Sequence, residues 1–380
     1  MTRRLPTLLL VASLLAAVAA PAAPTDPSST AAVAEVSGRV VDSFGRPLAG
    51  ARAELAPLPS NHAWAAGLLA GRLTPAAVAA ANSGPDGRFV LKVPETGVWS
   101  LTVTAAGRLA MRLAPLPVVE AEVLPDVALW PSEPVRVRVL DAVGAPAAGV
   151  WVHAASSSTA PWDGAEGWRP AARARSTAAD GTAVLERGPG EWLEVHALPP
   201  GSLTAVAIRG EDRIELRLPP AQPHCTLRVV DADGRALPGV VISRETLAWP
   251  SGITAEDGTL RLSAAGVTRG LFLFGPAGER LRSALPEPAD AAAADASPPA
   301  ILVLPGPGTV AGRMVAAETR RPLEGALVAP LYDPGRFVVT SRQGSFALPA
   351  AAAPVSELAV HAAGRLPRRV RPAAGDRPVV

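Results

Sequence analysis

Apolar and polar residues alternate with a period of two in four stretches of the chain. In the first stretch Val36, Gly38 and Val40 fall on one face, and Ser37 and Arg39 fall on the other. This alternation is typical of a β-strand with one buried and one solvated face. The sequence therefore predicts four such strands, of which the other three cover residues 135–139, 225–229 and 310–314.

A shared turn motif follows each alternating stretch. In the first copy Asp42 precedes Gly45, and Pro47 leads to Gly50. An aspartate here can accept hydrogen bonds from the backbone ahead of it, and a glycine supplies a positive φ. Self-similarity at a spacing of about 90 residues indicates tandem domains, and the counterparts of Gly50 are Gly149, Gly239 and Gly325.

Two further motifs recur after the first turn. Asp86-Gly87 precedes an alternating run, which is a strong signal for a β-hairpin, and it returns at 180–181, at 257–258 and, as Gln-Gly, at 343–344. A glycine followed by an aromatic residue marks the next strand. Trp99 and Trp192 occupy this position and are predicted to be core residues.

These motifs predict an all-β fold of four tandem sandwiches, each with some seven short strands. We call the sandwiches units one to four. Their predicted bounds are 34–131, 132–220, 221–306 and 307–380.

Units one and two carry insertions between the second strand and the Asp-Gly turn. The first insertion, about 58–82, is alanine-rich and is predicted to be helical, with Asn61 as a cap. The second insertion, 155–176, is rich in Trp and Arg and has no period.

The motifs resemble those of the carboxypeptidase regulatory-like domain family. The resemblance is carried by Gly38 to Ala51, Asp86 to Phe89 and Gly97 to Val103. It implies prealbumin-like seven-stranded sandwiches, which are also classed with the carbohydrate-binding-like fold. It implies little about function, because such domains serve as accessory modules in many exported proteins.

The N-terminus has the features of a bacterial secretory signal. Arg3 and Arg4 precede an apolar run over 8–20, and cleavage is expected after Ala19 or a few residues later. Residues 20–33 form a flexible leader of Pro, Ala, Ser and Thr. We therefore expect a mature chain without a membrane span, located in the periplasm, at the cell surface or outside the cell.

The composition argues against disulfide bonds and against nucleic-acid binding. Cys225 is the only cysteine, so no internal disulfide is expected, and its place on the inward face of a strand predicts a core residue. The net charge of +2 and the absence of an arginine run argue against nucleic-acid binding.

No motif for catalysis or for a cofactor is found. The sequence Asp231-Ala-Asp233-Gly lacks the remaining ligands of a calcium loop. A zinc site from His153 and His196 would need a third ligand. The sequence therefore predicts no enzyme, no cofactor and no metal.

The candidate ligand site lies in unit two. Trp151 and His153 are predicted on the outward face of the second strand, and Trp162 and Trp168 follow in the insertion. Exposed aromatic rings are good stacking surfaces, and large exposed apolar patches usually mark interaction sites. The four residues predict a platform for a glycan. In the alternative, the insertion folds back and its tryptophans cover Trp151 as a small core.

Two functions remain open from the sequence. The first is a non-catalytic exported binding or spacer module, whose partner is a glycan or another cell-surface protein. The second is an accessory N-terminal region of a larger transporter or peptidase. The chain ends where the last strand of unit four begins, which fits either a longer protein or a slightly short last strand.

Overall fold

The computed structural model describes residues 34–371 apart from the segments 71, 73–74, 157–166, 172, 199–205, 211–212, 221–223, 245–249, 264–269, 284–298, 307 and 351–356. Four predicted features lie outside the described residues. They are the signal, the leader, Trp162 and the strand expected to close unit four at 377–380. Within the described residues, no helix is long and apolar enough to cross a membrane.

The described residues of unit one form eight strands and one helix. They are β1 (Ala34–Asp42), β2 (Arg52–Pro57), α1 (Asn61–Leu69), β3 (Ala79–Asn82), β4 (Arg88–Val93), β5 (Gly97–Thr104), β6 (Met111–Val118), β7 (Glu122–Val123) and β8 (Val127–Leu129).

Eight strands form within the described parts of unit two. They are β9 (Glu133–Leu140), β10 (Trp151–Ser156), β11 (Trp168–Pro170), β12 (Arg173–Ser176), β13 (Thr182–Arg187), β14 (Leu193–Leu198), β15 (Val206–Gly210) and β16 (Arg213–Arg217).

The described parts of units three and four contain strands alone. They are β17 (His224–Val230), β18 (Val241–Arg244), β19 (Pro250–Ile253), β20 (Thr259–Ser263), β21 (Leu271–Phe274), β22 (Arg280–Ser283), β23 (Ala300–Val303), β24 (Gly308–Arg313), β25 (Leu327–Pro330), β26 (Val338–Val339), β27 (Ser345–Ala350), β28 (Leu358–His361) and β29 (Arg368–Val370).

The same two-sheet topology recurs along the chain. In unit three one sheet has the order β20-β17-β23, and the other has the order β19-β18-β21-β22. The first strand pairs with the closing strand in parallel and with the hairpin strand in antiparallel fashion. Unit two repeats this as β13-β9-β16 and β12-β10-β14-β15. The predicted all-β fold of tandem sandwiches is therefore confirmed, while the predicted bounds and the family resemblance stay predictions.

Alternation places one face of each strand in a core. Along β4, Arg88 and Val90 are exposed, whereas Phe89 and Leu91 are buried. Each unit has its own cluster of buried side chains. Cys225 is partly buried and packs against the cluster of unit three, as predicted. Burial raises the pKa of its thiol, so the thiol is poorly suited to react as a thiolate.

The predicted Asp-Gly turns form, and their glycines are required for two reasons. Gly87 has a φ of +77°, and a Cβ at this position would lie 2.4 Å from the carbonyl oxygen of Val40. Its own carbonyl oxygen accepts a hydrogen bond from the Val40 N–H at 2.8 Å. A side chain would therefore clash with the first strand, and this arrangement recurs at Gly181, Gly258 and Gly344.

The predicted helical insertion of unit one is confirmed, but its extent and its cap differ from the prediction, and the predicted core position of Trp192 is wrong. The first insertion is helical only over Asn61–Leu69, and the N-cap is Ser60, whose side chain accepts a hydrogen bond from Ala63 N–H. The alanine-rich segment after it forms β3, which pairs with β2 at the sheet edge. Trp192 is not a core residue, since 54% of it is exposed. Leu193 takes the inward position instead, because β14 begins one residue later than the repeat suggested.

Unit one contacts all three other units. The Asn61 N–H donates to Asp333 Oδ1 at 2.9 Å, and the Asn61 side-chain amide donates to the carbonyl oxygen of Tyr332 at 2.8 Å. His62 Nε2 lies 2.7 Å from the carbonyl oxygen of Gly239. Helix α1 is thus anchored to units three and four.

An apolar contact reinforces this anchoring. Ala65 is fully buried against Val241 and Phe274 of unit three, and Trp64 packs at the edge of this cluster. The Gly364 N–H of unit four also donates a hydrogen bond to Glu120 Oε1 of unit one at 2.9 Å. The sandwiches therefore pack together into one compact body.

Candidate functional site

The outward face of β10 carries the first two predicted site residues. Val150, Val152 and Ala154 are buried in the core of unit two, so Trp151 and His153 lie on the opposite face, as predicted. Both side chains are only partly exposed. The indole and the imidazole thus lie on the same face of β10.

His153 lies opposite a second histidine. It is the direct partner of His196 across β10 and β14, and the Ala174 backbone flanks it on the other side. Burial, followed by the charges of His196 and Arg173, lowers the pKa of His153 to about 4. The imidazole is therefore neutral near pH 7, and a neutral ring can accept one hydrogen bond and donate another.

A histidine–carboxylate contact and a buried ion pair border the two histidines. Glu194 Oε1 lies 3.1 Å from His196 Nε2. Arg173 holds Glu191 in a bidentate pair with N–O distances of 2.6 and 2.8 Å, and both side chains are largely buried. In the described part of the chain, no three His, Cys, Asp or Glu side chains come together as a group that could hold a metal ion.

Trp168 does not belong to an exposed platform, and this prediction is wrong. Its side chain is 2% exposed and forms part of the core of unit one. Strand β11 brings it there by pairing antiparallel with β6, so that Trp168 stands opposite Leu113 and Pro170 opposite Met111. The insertion of unit two thus completes a sheet of unit one, with the order β11-β6-β5-β2-β3. Trp162 lies outside the described residues.

A cavity lies on the other face of this strand pair. It has a volume of about 380 Å³ and is formed by residues of units one, two and four. Helix α1, β6 and β11 surround it, and the lining residues are Leu58, Pro59, Asn61, Trp64, Arg112, Ala114, Pro115, Arg169, Pro170 and Pro334. No signal in the sequence indicated this cavity, because Arg112 and Arg169 belong to different units.

No protein-family model matches the sequence, and no curated protein matches it. The Bacillus anthracis TIE protein is similar at 12% identity and a TM-score of 0.20, over 72% of this chain and 50% of that one. Shaft pilin SpaA from Lactobacillus rhamnosus GG is similar at 12% identity and a TM-score of 0.21, over 49% of this chain and 96% of that one. A type II cohesin–X-dockerin complex from Acetivibrio cellulolyticus is similar at 17% identity and a TM-score of 0.20, over 26% of this chain.

This chain spans 58% of the matched chain of the cohesin–X-dockerin complex. Likenesses at these TM-scores do not identify a function. The β-sandwich fold rests on the strands and sheets described above.

Proposed function

We propose that this chain is a non-catalytic exported module that binds a partner outside the cytoplasm, and that it is not an extended spacer. The observation that supports this is the packing of unit one against the other three units. A spacer gains reach when successive domains touch only through their linkers. Here α1 and β11 cross between units and leave a concave junction, and junctions between domains are common places for ligand sites.

The proposal has two experimental parts. N-terminal sequencing of material from the periplasm or the medium should give a first residue near 20, and an intact Met1 on the folded protein would contradict export. Small-angle scattering of the mature chain should give the radius of gyration of a compact particle. A string of four separated sandwiches would support the spacer instead.

The absence of catalysis is a prediction of its own. Purified protein should not hydrolyse peptides or glycosides. Hydrolysis that persists through purification and disappears in His153→Gln or His196→Gln would make the chain an enzyme.

The face of Trp151 and His153 stays the proposed contact for a glycan. Wild type and Trp151→Ala can be compared on a glycan array, with Val184→Ala as the control because Val184 is exposed on β13, which belongs to the other sheet of unit two. Binding that Trp151→Ala abolishes and Val184→Ala retains would support the assignment. If the wild type binds no glycan, this assignment is wrong.

An accessory region of a larger surface protein is the alternative. The reading frame beyond residue 380 discriminates the two proposals. A downstream transporter or peptidase domain would select the alternative.

A further inference from the structure

Two arginines stand directly opposite each other in the cavity. Arg169 on β11 is the cross-strand partner of Arg112 on β6. Like charges in this position repel and destabilise a strand pair. Sliding the register by one residue would relieve the repulsion, but it would also remove Trp168 from the core. The burial of Trp168 therefore fixes Arg112 and Arg169 opposite each other.

Neither arginine has a carboxylate partner among the described residues. Arg112 Nε donates to the Ser100 hydroxyl at 2.6 Å, and Arg169 Nη1 donates to the carbonyl oxygen of Trp168 at 3.0 Å. Both acceptors are neutral. Arg112 is partly buried, and burial lowers the pKa of its guanidinium. Among the described residues the positive charge of the cavity is therefore uncompensated, and a partly buried charge without a counter-ion is costly.

The remaining walls of the cavity are mostly apolar. Apart from the two arginines, the polar groups among the lining side chains are the Asn61 amide and the Trp64 indole N–H. The Asn61 amide already donates to unit four. A hydroxyl-rich sugar would therefore find few hydrogen-bonding partners on these walls. Rings and methyl groups would instead contact Trp64 and four prolines, and the volume is that of a small-molecule site.

We propose that this cavity binds an organic carboxylate with an apolar body. The carboxylate bridges Arg112 and Arg169, and the apolar body packs against Trp64 and the prolines. Guanidinium groups are well suited to this role because they bind carboxylates through paired hydrogen bonds. The proposal rests on the chain being a binding module and names its ligand class. Either a free organic acid or the C-terminus of a peptide ending in an apolar residue would supply this chemistry.

The test compares an acid with its neutral analogue on the full mature chain. Isothermal titration calorimetry with 4-phenylbutyrate and with 4-phenylbutyramide measures the contribution of the charge. We expect the acid to bind at least about tenfold more tightly than the amide. Equal binding, or no binding of the acid at millimolar concentration, would overturn the proposal.

Two further probes distinguish the two possible sources of the carboxylate and test whether a sugar acid binds instead. Acetyl-Gly-Gly-Phe with a free C-terminus, compared with its C-terminal amide, tests the peptide source. Tighter binding of the free peptide than of 4-phenylbutyrate selects the peptide, and the reverse order selects the small acid. Galacturonate carries the same charge on a hydroxyl-rich ring. If it binds more tightly than 4-phenylbutyrate, the apolar body is wrong.

Matched arginine variants locate the site. Arg169→Gln should weaken binding of the acid at least about tenfold, and it should keep or raise the melting temperature because it relieves the like-charge repulsion. The control is Arg175→Gln on β12, an exposed arginine that also donates to the carbonyl oxygen of the preceding residue. Equal losses in both variants would show that binding is non-specific.

Failure of this test is distinguishable from failure of the proposed function. Export and compaction are measured without any ligand. A compact exported chain that ignores carboxylates keeps the proposed function and loses this inference.

Discussion

A buried hydroxyl residue connects the second strand to the hairpin turn in every unit. In unit two the Thr177 hydroxyl accepts a hydrogen bond from the Val150 N–H at 3.0 Å and donates to the carbonyl oxygen of Ala147 at 2.7 Å. The equivalent residues are Ser83, Thr254 and Thr340. Sequence analysis missed them, although a Ser or Thr stands four residues before each turn glycine and could have been found.

Replacing this hydroxyl should destabilise the sandwich. Thr177→Val keeps the volume but leaves a buried N–H and a buried carbonyl without this partner, which costs about 1–3 kcal/mol. The midpoint of urea unfolding measures the loss. Thr309→Val on the exposed face of β24 is the control and should change stability by less than about 0.5 kcal/mol. Equal stability of the two variants would contradict this role.

Burial of His153 couples stability to pH. The pKa of His153 is about 4 in the folded state and 6.5 when unperturbed. As the pH falls, the unfolded chain takes up the proton first. The contribution is therefore fully present above about pH 6.5 and is lost as the pH falls towards 4, by at most about 3 kcal/mol.

The His153→Gln variant should show a shallower fall in stability over this window. Chemical denaturation at pH 7, 5.5 and 4 measures the dependence. His224→Gln leaves the His153–His196 pair in place and should retain the wild-type slope. The interpretation is wrong if His153→Gln retains that slope too.

Among the elements, β11 decides how units one and two are joined. It is three residues long and belongs by sequence to unit two, yet it forms the edge of a sheet in unit one. Its anchor is Trp168, whose indole nitrogen is buried without a hydrogen-bond partner among the described residues. An indole placed in this way stabilises by packing alone.

Truncation of Trp168 should therefore destabilise unit one. Trp168→Ala is expected to cost about 3–5 kcal/mol, as for other large-to-small core substitutions. Trp192→Ala is the control, since Trp192 is 54% exposed, and should cost less than about 1 kcal/mol. Thermal unfolding compares them. If both variants unfold like the wild type, β11 is not a structural part of unit one.

At the scale of the whole molecule, α1 holds the sandwiches together. The helix contacts unit three through a small apolar patch, in which Ala65 packs against Val241 and Phe274. Unit four adds Arg336, which donates to the carbonyl oxygens of Pro276 and Ala277 in unit three. Contacts between neighbouring sandwiches thus converge near the helix.

A charge at Ala65 should open this arrangement. Ala65→Glu places a carboxylate in an apolar contact where it finds no partner, which disfavours docking of the helix. The radius of gyration from small-angle scattering should increase. Ala63→Glu on the exposed side of the same helix should leave it unchanged. No increase in Ala65→Glu would show that the other contacts suffice.

The sequence by itself determined the recurring strands, their turns and the number of units. These features depend on local chemistry. Alternation with a period of two indicates which side chains face a core. An aspartate or a glycine in a turn acts on its own backbone. The number of times that both features recur gives the number of units. For this reason the Asp42 turn and the buried positions around Val152 were predicted correctly.

Only the tertiary structure decided which elements meet across units. The alanine-rich segment forms β3 because it pairs with the free edge of β2. Strand β11 joins unit one because Trp168 packs into the core of that unit. The pairing of Arg112 with Arg169 follows from that strand. Such contacts join residues far apart in the chain, and periodicity assigns a residue to a face but never to a partner.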